Sequence, residues 1–360
     1  MELFSNIVKK IHLYVGLSCG IIASISGLTG SMYVWQPEIT AALNPKLLRV
    51  DSINNISEEA LLKTTLALYE NQRDSVAKIF LPYREQQTIS VTYLDGKTLY
   101  YHPENGMVLG YKSNSISFFE YLLNIHRTLG IPGFGKYIVG GSAVLFFLFL
   151  LTSGLLLWWK KYKFNFKKGT KIKWKRKRID YDVHKTLGIL FFLPLIIMAF
   201  SGAYFTYNTY YKGGFKWIDG FIVDTWTKEK IMVIGTLNTR QILENPTKNY
   251  SLRAIYFPKD SDEVYQFRYI KNRSIVPGLR ETRELKLDHD GNVISDASFD
   301  KSPLSEKIAA QMYPIHIGEI AGSFGRVLVF ISGFVPVILF ITGLRFYYFR
   351  KYDRKNGHRP

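Results

Sequence analysis

The sequence is nearly devoid of cysteine, with one in 360 residues, Cys19. No disulfide can form within the chain, and without a CxxCH motif a covalently attached c-type haem is excluded. No Cys/His spacing suits a structural zinc site. No GxGxxG follows a strand pattern, which removes a dinucleotide fold of the usual kind. Acid is missing from one stretch: Lys160 to Arg178 holds eleven Lys or Arg and no Asp or Glu.

What is present in excess is apolar sequence, and it is clumped. Four runs, near 11–35, 135–159, 186–207 and 325–349, are long enough to cross a bilayer, which needs roughly 20 apolar residues per helix. The net charge of +18 is also clumped. Residues 37–135 carry nine basic and ten acidic residues, and 208–324 carry sixteen and fifteen. The surplus lies in the 160–183 loop and in the tail, with Arg350, Lys351, Arg354, Lys355 and Arg359 against Asp353. That is the positive-inside pattern, placing both termini and the basic loop in the cytoplasm and both long segments outside. It explains the basic loop better than a nucleic-acid partner does. The first run exceeds a signal-peptide core, lacks an A-x-A-like site and ends in an interfacial Tyr33 and Trp35, so it reads as a retained helix.

The first outer segment predicts a helix over 57–70, started by Ser57, then strands at 77–82, 87–94 and 97–101 and one further short strand. The second predicts strands at 252–257, 264–270 and 282–287, with Asp290-Gly291 as a hairpin turn. Each segment reads as a small α+β unit. Phe118–Gly130 and residues 304–322 read as amphipathic approaches to the membrane. Pro194 and Pro336 mark expected kinks.

One module is written twice: helix, outer segment, helix. His12 to Gly30 and His184 to Gly202 are both 18 residues; His126 to Gly154 and His316 to Gly343 are 28 and 27. Such repetition fixes architecture, and both halves start on the same side, so the repeats are parallel. Topology then sorts the histidines: His12 and His184 lie at the inner membrane edge, His126 and His316 at the outer. Two pairs at two depths suit two haems, each held on both faces by imidazole. Three of the four have glycine at i+4 (Gly16, Gly130, Gly188), leaving a bare patch for a flat group; His316 has Ile320 there. A lone histidine at a membrane edge is also an ordinary polar interfacial residue; four at repeated positions favour the ligand reading. His102, His289 and His358 sit in polar turns or the tail and take no role.

Arg127, Lys185 and Arg326 are candidates for pairing with haem propionates, against the commoner reading of snorkelling side chains. The Ser/Thr-Gly pairs that end each apolar run read as positions of close helix packing or of approach to a haem at the far end of the helix, with packing the commoner use.

The elements HLYVGL…SGLTG, HRTLGIPG…LTSGLLLWW, VHKTLGILFFLPL…FSGAY and HIGEIAGSFGR…ITGLR resemble the PepSY-associated transmembrane family, over essentially the whole chain. The resemblance implies an α-helical polytopic protein of the bacterial inner membrane, with four transmembrane helices and PepSY-like periplasmic domains. It divides the chain into 1–36 (head and first helix), 37–125 (first periplasmic domain), 126–160 (second helix) and 161–183 (basic loop). Then come 184–207 (third helix), 208–315 (second periplasmic domain), 316–349 (fourth helix) and 350–360 (tail). It further implies two non-covalent b-type haems, with His12, His184, His126 and His316 as ligands to the haem iron. The implied activity is reduction of ferric siderophore iron to Fe(II) in the periplasm, with electrons from a cytoplasmic or quinol donor. Two other readings stand beside it. One is a non-enzymatic membrane protein sensing or inhibiting a periplasmic protease or envelope signal. The other is a transporter, which would need polar or broken mid-bilayer segments.

Overall fold

The structure is a computed structural model that describes residues 2–51, 56–71, 75–174, 179–220, 237–245, 247, 249–260 and 262–355. Lys175–Arg178 of the basic loop, residues 221–236 of the second long segment, and the tail residues His358 and Arg359 lie outside the described residues, as do the side chains beyond Phe349.

In chain order the first helices are α1 (Glu2–Val34), α2 (Gln36–Leu43), α3 (Pro45–Leu48) and α4 (Glu58–Glu70). Strands β1 (Val76–Phe80), β2 (Ile89–Tyr93), β3 (Thr98–Tyr101) and β4 (Val108–Tyr111) follow. Next come α5 (Asn114–Thr128), α6 (Gly135–Leu145), a π-helical turn (Phe146–Leu151), α7 (Thr152–Tyr162) and α8 (Phe166–Gly169). Helices α9 (Ile179–Leu190), α10 (Phe192–Asp219) and α11 (Thr239–Glu244) precede β5 (Ser251–Tyr256), β6 (Tyr265–Ile270), β7 (Thr282–Leu287) and β8 (Val293–Ser298). Then follow α12 (Leu304–His316), a 3-10 turn (Glu319–Ala321) and α13 (Gly322–Lys355). Two units form. A helical one holds residues up to Val34, Glu120–Tyr211 and everything from Met312; a sheet one holds Trp35–Phe119 and Lys212–Gln311.

In the helical unit three spans are long and apolar enough to cross a bilayer: Leu3–Val34, Gly135–Tyr162 and Glu319–Phe349. The fourth apolar run is a bent pair, α9 and α10, meeting at 65°. Pro194 is the cause: it has no N–H for the Leu190 carbonyl and its ring crowds that carbonyl, so one helix stops and the next starts with proline in its first turn. Pro336, expected to kink the fourth helix, leaves α13 a single element. α1 and α13 cross where Gly27 faces Gly333: a Cβ on either would strike the other's backbone. The hydroxyl of buried Ser31 donates to Phe330 O at 2.7 Å beside this crossing. Small residues permit the close approach, and dispersion and hydrogen bonds hold it. Trp158 is buried against Gly169, to whose carbonyl its indole N–H donates at 3.4 Å.

In the sheet unit the expected pair of separate α+β domains is not found. The eight strands form one antiparallel sheet, ordered β4-β3-β2-β1-β5-β6-β7-β8. The seam is β1 on β5, with Ile79 opposite Ile255. Each half is a four-strand meander, as the turn signals predicted, but β1 alone would leave an apolar edge, and pairing with β5 satisfies both edges at once. Ser57 caps α4, accepting from Ala60 N at 3.1 Å. Leu61 and Leu62 of α4 and Leu243 of α11 share one core with Ile79, Ile255 and Phe267, so the two halves bury a common interior.

Candidate functional site

All four histidines lie in the helical unit, and they meet in two pairs. The His12 and His184 ring centroids are 6.0 Å apart with planes at 80°. Those of His126 and His316 are also 6.0 Å apart, with planes at 48°. His12 and Gly30 are 18 residues apart on α1, which sets the two levels about 25 Å apart along that helix.

Each imidazole rests in the same kind of seat on another helix of its own half. His12 Nδ1 contacts Leu150 O at 3.2 Å and Ser153 Oγ at 3.0 Å, with Gly154 beneath its Cε1. His184 Nδ1 contacts Leu339 O at 2.9 Å and Thr342 Oγ1 at 3.2 Å, over Gly343. His316 Nδ1 contacts Met198 O at 3.1 Å and Ser201 Oγ at 3.1 Å, over Gly202. His126 Nδ1 contacts Ser26 O at 2.8 Å and Thr29 Oγ1 at 3.4 Å, over Gly30. The seat is thus a carbonyl, then a hydroxyl three residues on, then glycine, all on one helix face. A Cβ on the glycine would come within 3.1 Å of Cε1 at Gly154, Gly202 and Gly343, and within 2.8 Å at Gly30.

These seats settle the tautomers. A carbonyl oxygen can only accept, so Nδ1 carries the hydrogen and donates it, and in the neutral imidazole Nε2 then keeps its lone pair. Hydrogen bonding of the second ring nitrogen is what orients a metal-ligating imidazole and raises its basicity. A metal bound by imidazole nitrogens at about 2 Å on two opposite faces places the ring centroids roughly 6 Å apart. Both pairs match that spacing.

Four of the Ser/Thr-Gly pairs, Thr29-Gly30, Ser153-Gly154, Ser201-Gly202 and Thr342-Gly343, are therefore the histidine seats, while Gly27 of Ser26-Gly27 packs at the α1–α13 crossing. The signal was in the sequence, since such a pair recurs in all four apolar runs; its use was not, because each seat hydroxyl serves a histidine at least 97 positions away. The interval His126–Gly154 exceeds His316–Gly343 by one residue, and the π-helical turn within it accommodates one extra residue, keeping Ser153 and Gly154 on the facing side.

The i+4 glycines divide. Gly188 has open space where a Cβ would stand, as expected. Gly16 faces Leu150 Cδ1 at 3.4 Å rather than a cleft. Gly130 has left the helix: α5 ends at Thr128, and Leu129 and Gly130 take φ of 56° and 73°, so Gly130 reverses the chain. Arg127 is exposed and makes no hydrogen bond or ion pair among the described residues. Lys185 is engaged elsewhere, with Asp182 at 3.0 Å and Lys171 O at 2.9 Å, and so is Arg326, which donates to Val34 O at 2.7 Å, capping α1. Sequence gave no sign of Phe205, whose ring stands edge-on to His316 at 5.5 Å.

Apolar spanning helices, two seated imidazole pairs and an antiparallel sheet unit define a multi-pass membrane protein with paired imidazoles between its helices. The chain belongs to the family described as the PepSY-associated TM region, whose model matches residues 9–351. No curated protein matches it.

Proposed function

We propose that the protein is a di-haem b-type oxidoreductase of the bacterial inner membrane. It takes electrons from a cytoplasmic or quinol donor and reduces ferric siderophore iron, Fe(III) to Fe(II), in the periplasm. The observation that carries this reading is the pair of 6.0 Å imidazole spacings, each with Nδ1 committed to a seat. The bent α9–α10 pair counts as one span, which makes four, arranged as two parallel repeats. The charge pattern orients them with the termini inside and the sheet unit outside.

His12 and His184 would hold the inner haem, and His126 and His316 the outer. When bound, each haem would supply a one-electron iron couple, which suits electron transfer. The chain's own part is positional. The carbonyl and hydroxyl of each seat keep the hydrogen on Nδ1, and the glycine lets the ring lie against the helix. Four helices bring a ring of one half to within 6.0 Å of a ring of the other at each level, so neither half can form a site alone. The open space beside Gly188 leaves room for a flat group at the inner level. Fe(II) is held far less tightly than Fe(III) by hard oxygen donors, so reduction releases the metal.

An absorption spectrum of the purified protein, oxidised and dithionite-reduced, tests the reading. We expect a Soret band, b-type reduced bands and two haems per chain by pyridine haemochrome. A haem-free protein from haem-replete cells would sink it in favour of a sensor or inhibitor role.

A further inference from the structure

Away from the histidines, the sheet unit gathers arginines around one tyrosine. The guanidinium carbons of Arg253, Arg84 and Arg280 lie 4.0, 4.8 and 5.8 Å from the Tyr83 ring centroid. A fourth, Arg273, donates to Pro82 O at 2.7 Å and to Leu252 O at 2.9 Å, and grips both Glu58 oxygens at 2.8 and 3.0 Å. The backbone is specially shaped to place them. Arg84 adopts φ of 59°, a left-handed conformation that non-glycine residues seldom take, and its N–H donates to Arg273 O at 2.7 Å. Arg253 sits where the β5–β6 register shifts between Leu252 and Ala254, a bulge that re-aims a side chain. The Gln311 carboxamide clasps the Arg280 backbone, accepting from its N–H at 2.8 Å and donating to its carbonyl at 3.1 Å. Backbone irregularity at two separate elements, converging on one ring, is the pattern of a binding site rather than of a solvated charged face.

Guanidiniums cannot shed their charge to relieve mutual repulsion. They present planar donor forks that fit carboxylate, phosphate or catecholate oxygens, and Tyr83 adds an aromatic surface. We propose that this cluster is a binding site for an anionic, oxygen-rich iron complex, a ferric tris-catecholate or carboxylate chelate rather than a neutral hydroxamate. That the anion is an iron complex rests on the reductase reading; the preference for negative charge rests on the arginines alone.

The test uses the full chain in phosphatidylcholine nanodiscs, where no lipid carries net negative charge. Binding of the trianionic gallium(III) tris-catecholate and of a neutral gallium(III) trihydroxamate is followed by calorimetry. We expect the anionic complex to bind at least ~10-fold more tightly, and Arg253→Gln and Arg280→Gln each to weaken it by about 10-fold while leaving the neutral complex unmoved. Equal affinities for the two complexes overturn the proposal. So does unchanged binding in the double variant with its thermal unfolding intact. Inorganic phosphate binding as tightly as the chelate would reassign the site to a simple oxyanion and overturn the iron-complex assignment. Gallium(III) is not reduced in this assay, so a haem-free chain that still sorts complexes by charge would defeat the reductase reading, and with it the iron-complex assignment, and leave only the preference for negative charge standing.

Discussion

The inner and outer histidine pairs reach the same end by different local means. His12 and His184 stand inside helices that continue for turns on either side. His126 and His316 occupy the last turns of α5 and α12, just before the chain reverses through left-handed residues at Leu129, Gly130 and Gly318. The rings are near-perpendicular in the inner pair and more nearly aligned in the outer. Yet all four Nδ1 atoms find a carbonyl and a hydroxyl in the same relation to a glycine. The seat, supplied by another helix, fixes the imidazole; the helix that bears the histidine need only deliver it to the right level.

The strongest way to break that comparison is to remove a ligand at one level. His126→Ala or His316→Ala should drop the pyridine haemochrome count from two haems to one, abolish ferric reduction and leave the inner spectrum in place. Retention of two haems in both variants would show that the pairing is wrong. A finer cut goes through the seats. A methyl at Gly30 comes closer to its histidine than one at Gly154, Gly202 or Gly343, so Gly30→Ala should lower outer-haem occupancy more than Gly343→Ala lowers inner-haem occupancy. Equal losses would mean that the seats do not set the rings. The smallest change is Thr342→Val, which removes the 3.2 Å hydroxyl contact to His184 and keeps the 2.9 Å carbonyl. Loss of one outer-shell partner should weaken inner-haem binding by about 10-fold, read by haem transfer to apomyoglobin, with the outer haem unaffected.

Much of this is legible in the sequence. Equal 18-residue intervals from histidine to glycine, and the alternation of basic loops with neutral segments, assigned His12 to His184 and His126 to His316. The strands of both long segments were marked by their turns. Other features were misread because their meaning is a contact with a distant residue. Ser153, Ser201, Thr29 and Thr342 looked like packing positions, since nothing nearby in sequence shows that a histidine lies over them. Lys185 and Arg326 looked available, but Lys185 pairs with Asp182 one turn away and with Lys171 O, and Arg326 reaches Val34 O only where α1 and α13 meet. The arginines around Tyr83 are scattered from position 84 to 280 and carried no signal at all.

By itself the sequence determined the apolar helices and the matched histidine-to-glycine intervals, because hydrophobic length and repeat spacing act locally along a chain. Only the tertiary structure decided that the two outer segments share one sheet, and that each imidazole is oriented by another helix. Strand edges and ring nitrogens are satisfied by whatever partner folding brings to them, and that choice depends on the packing of elements far apart in sequence.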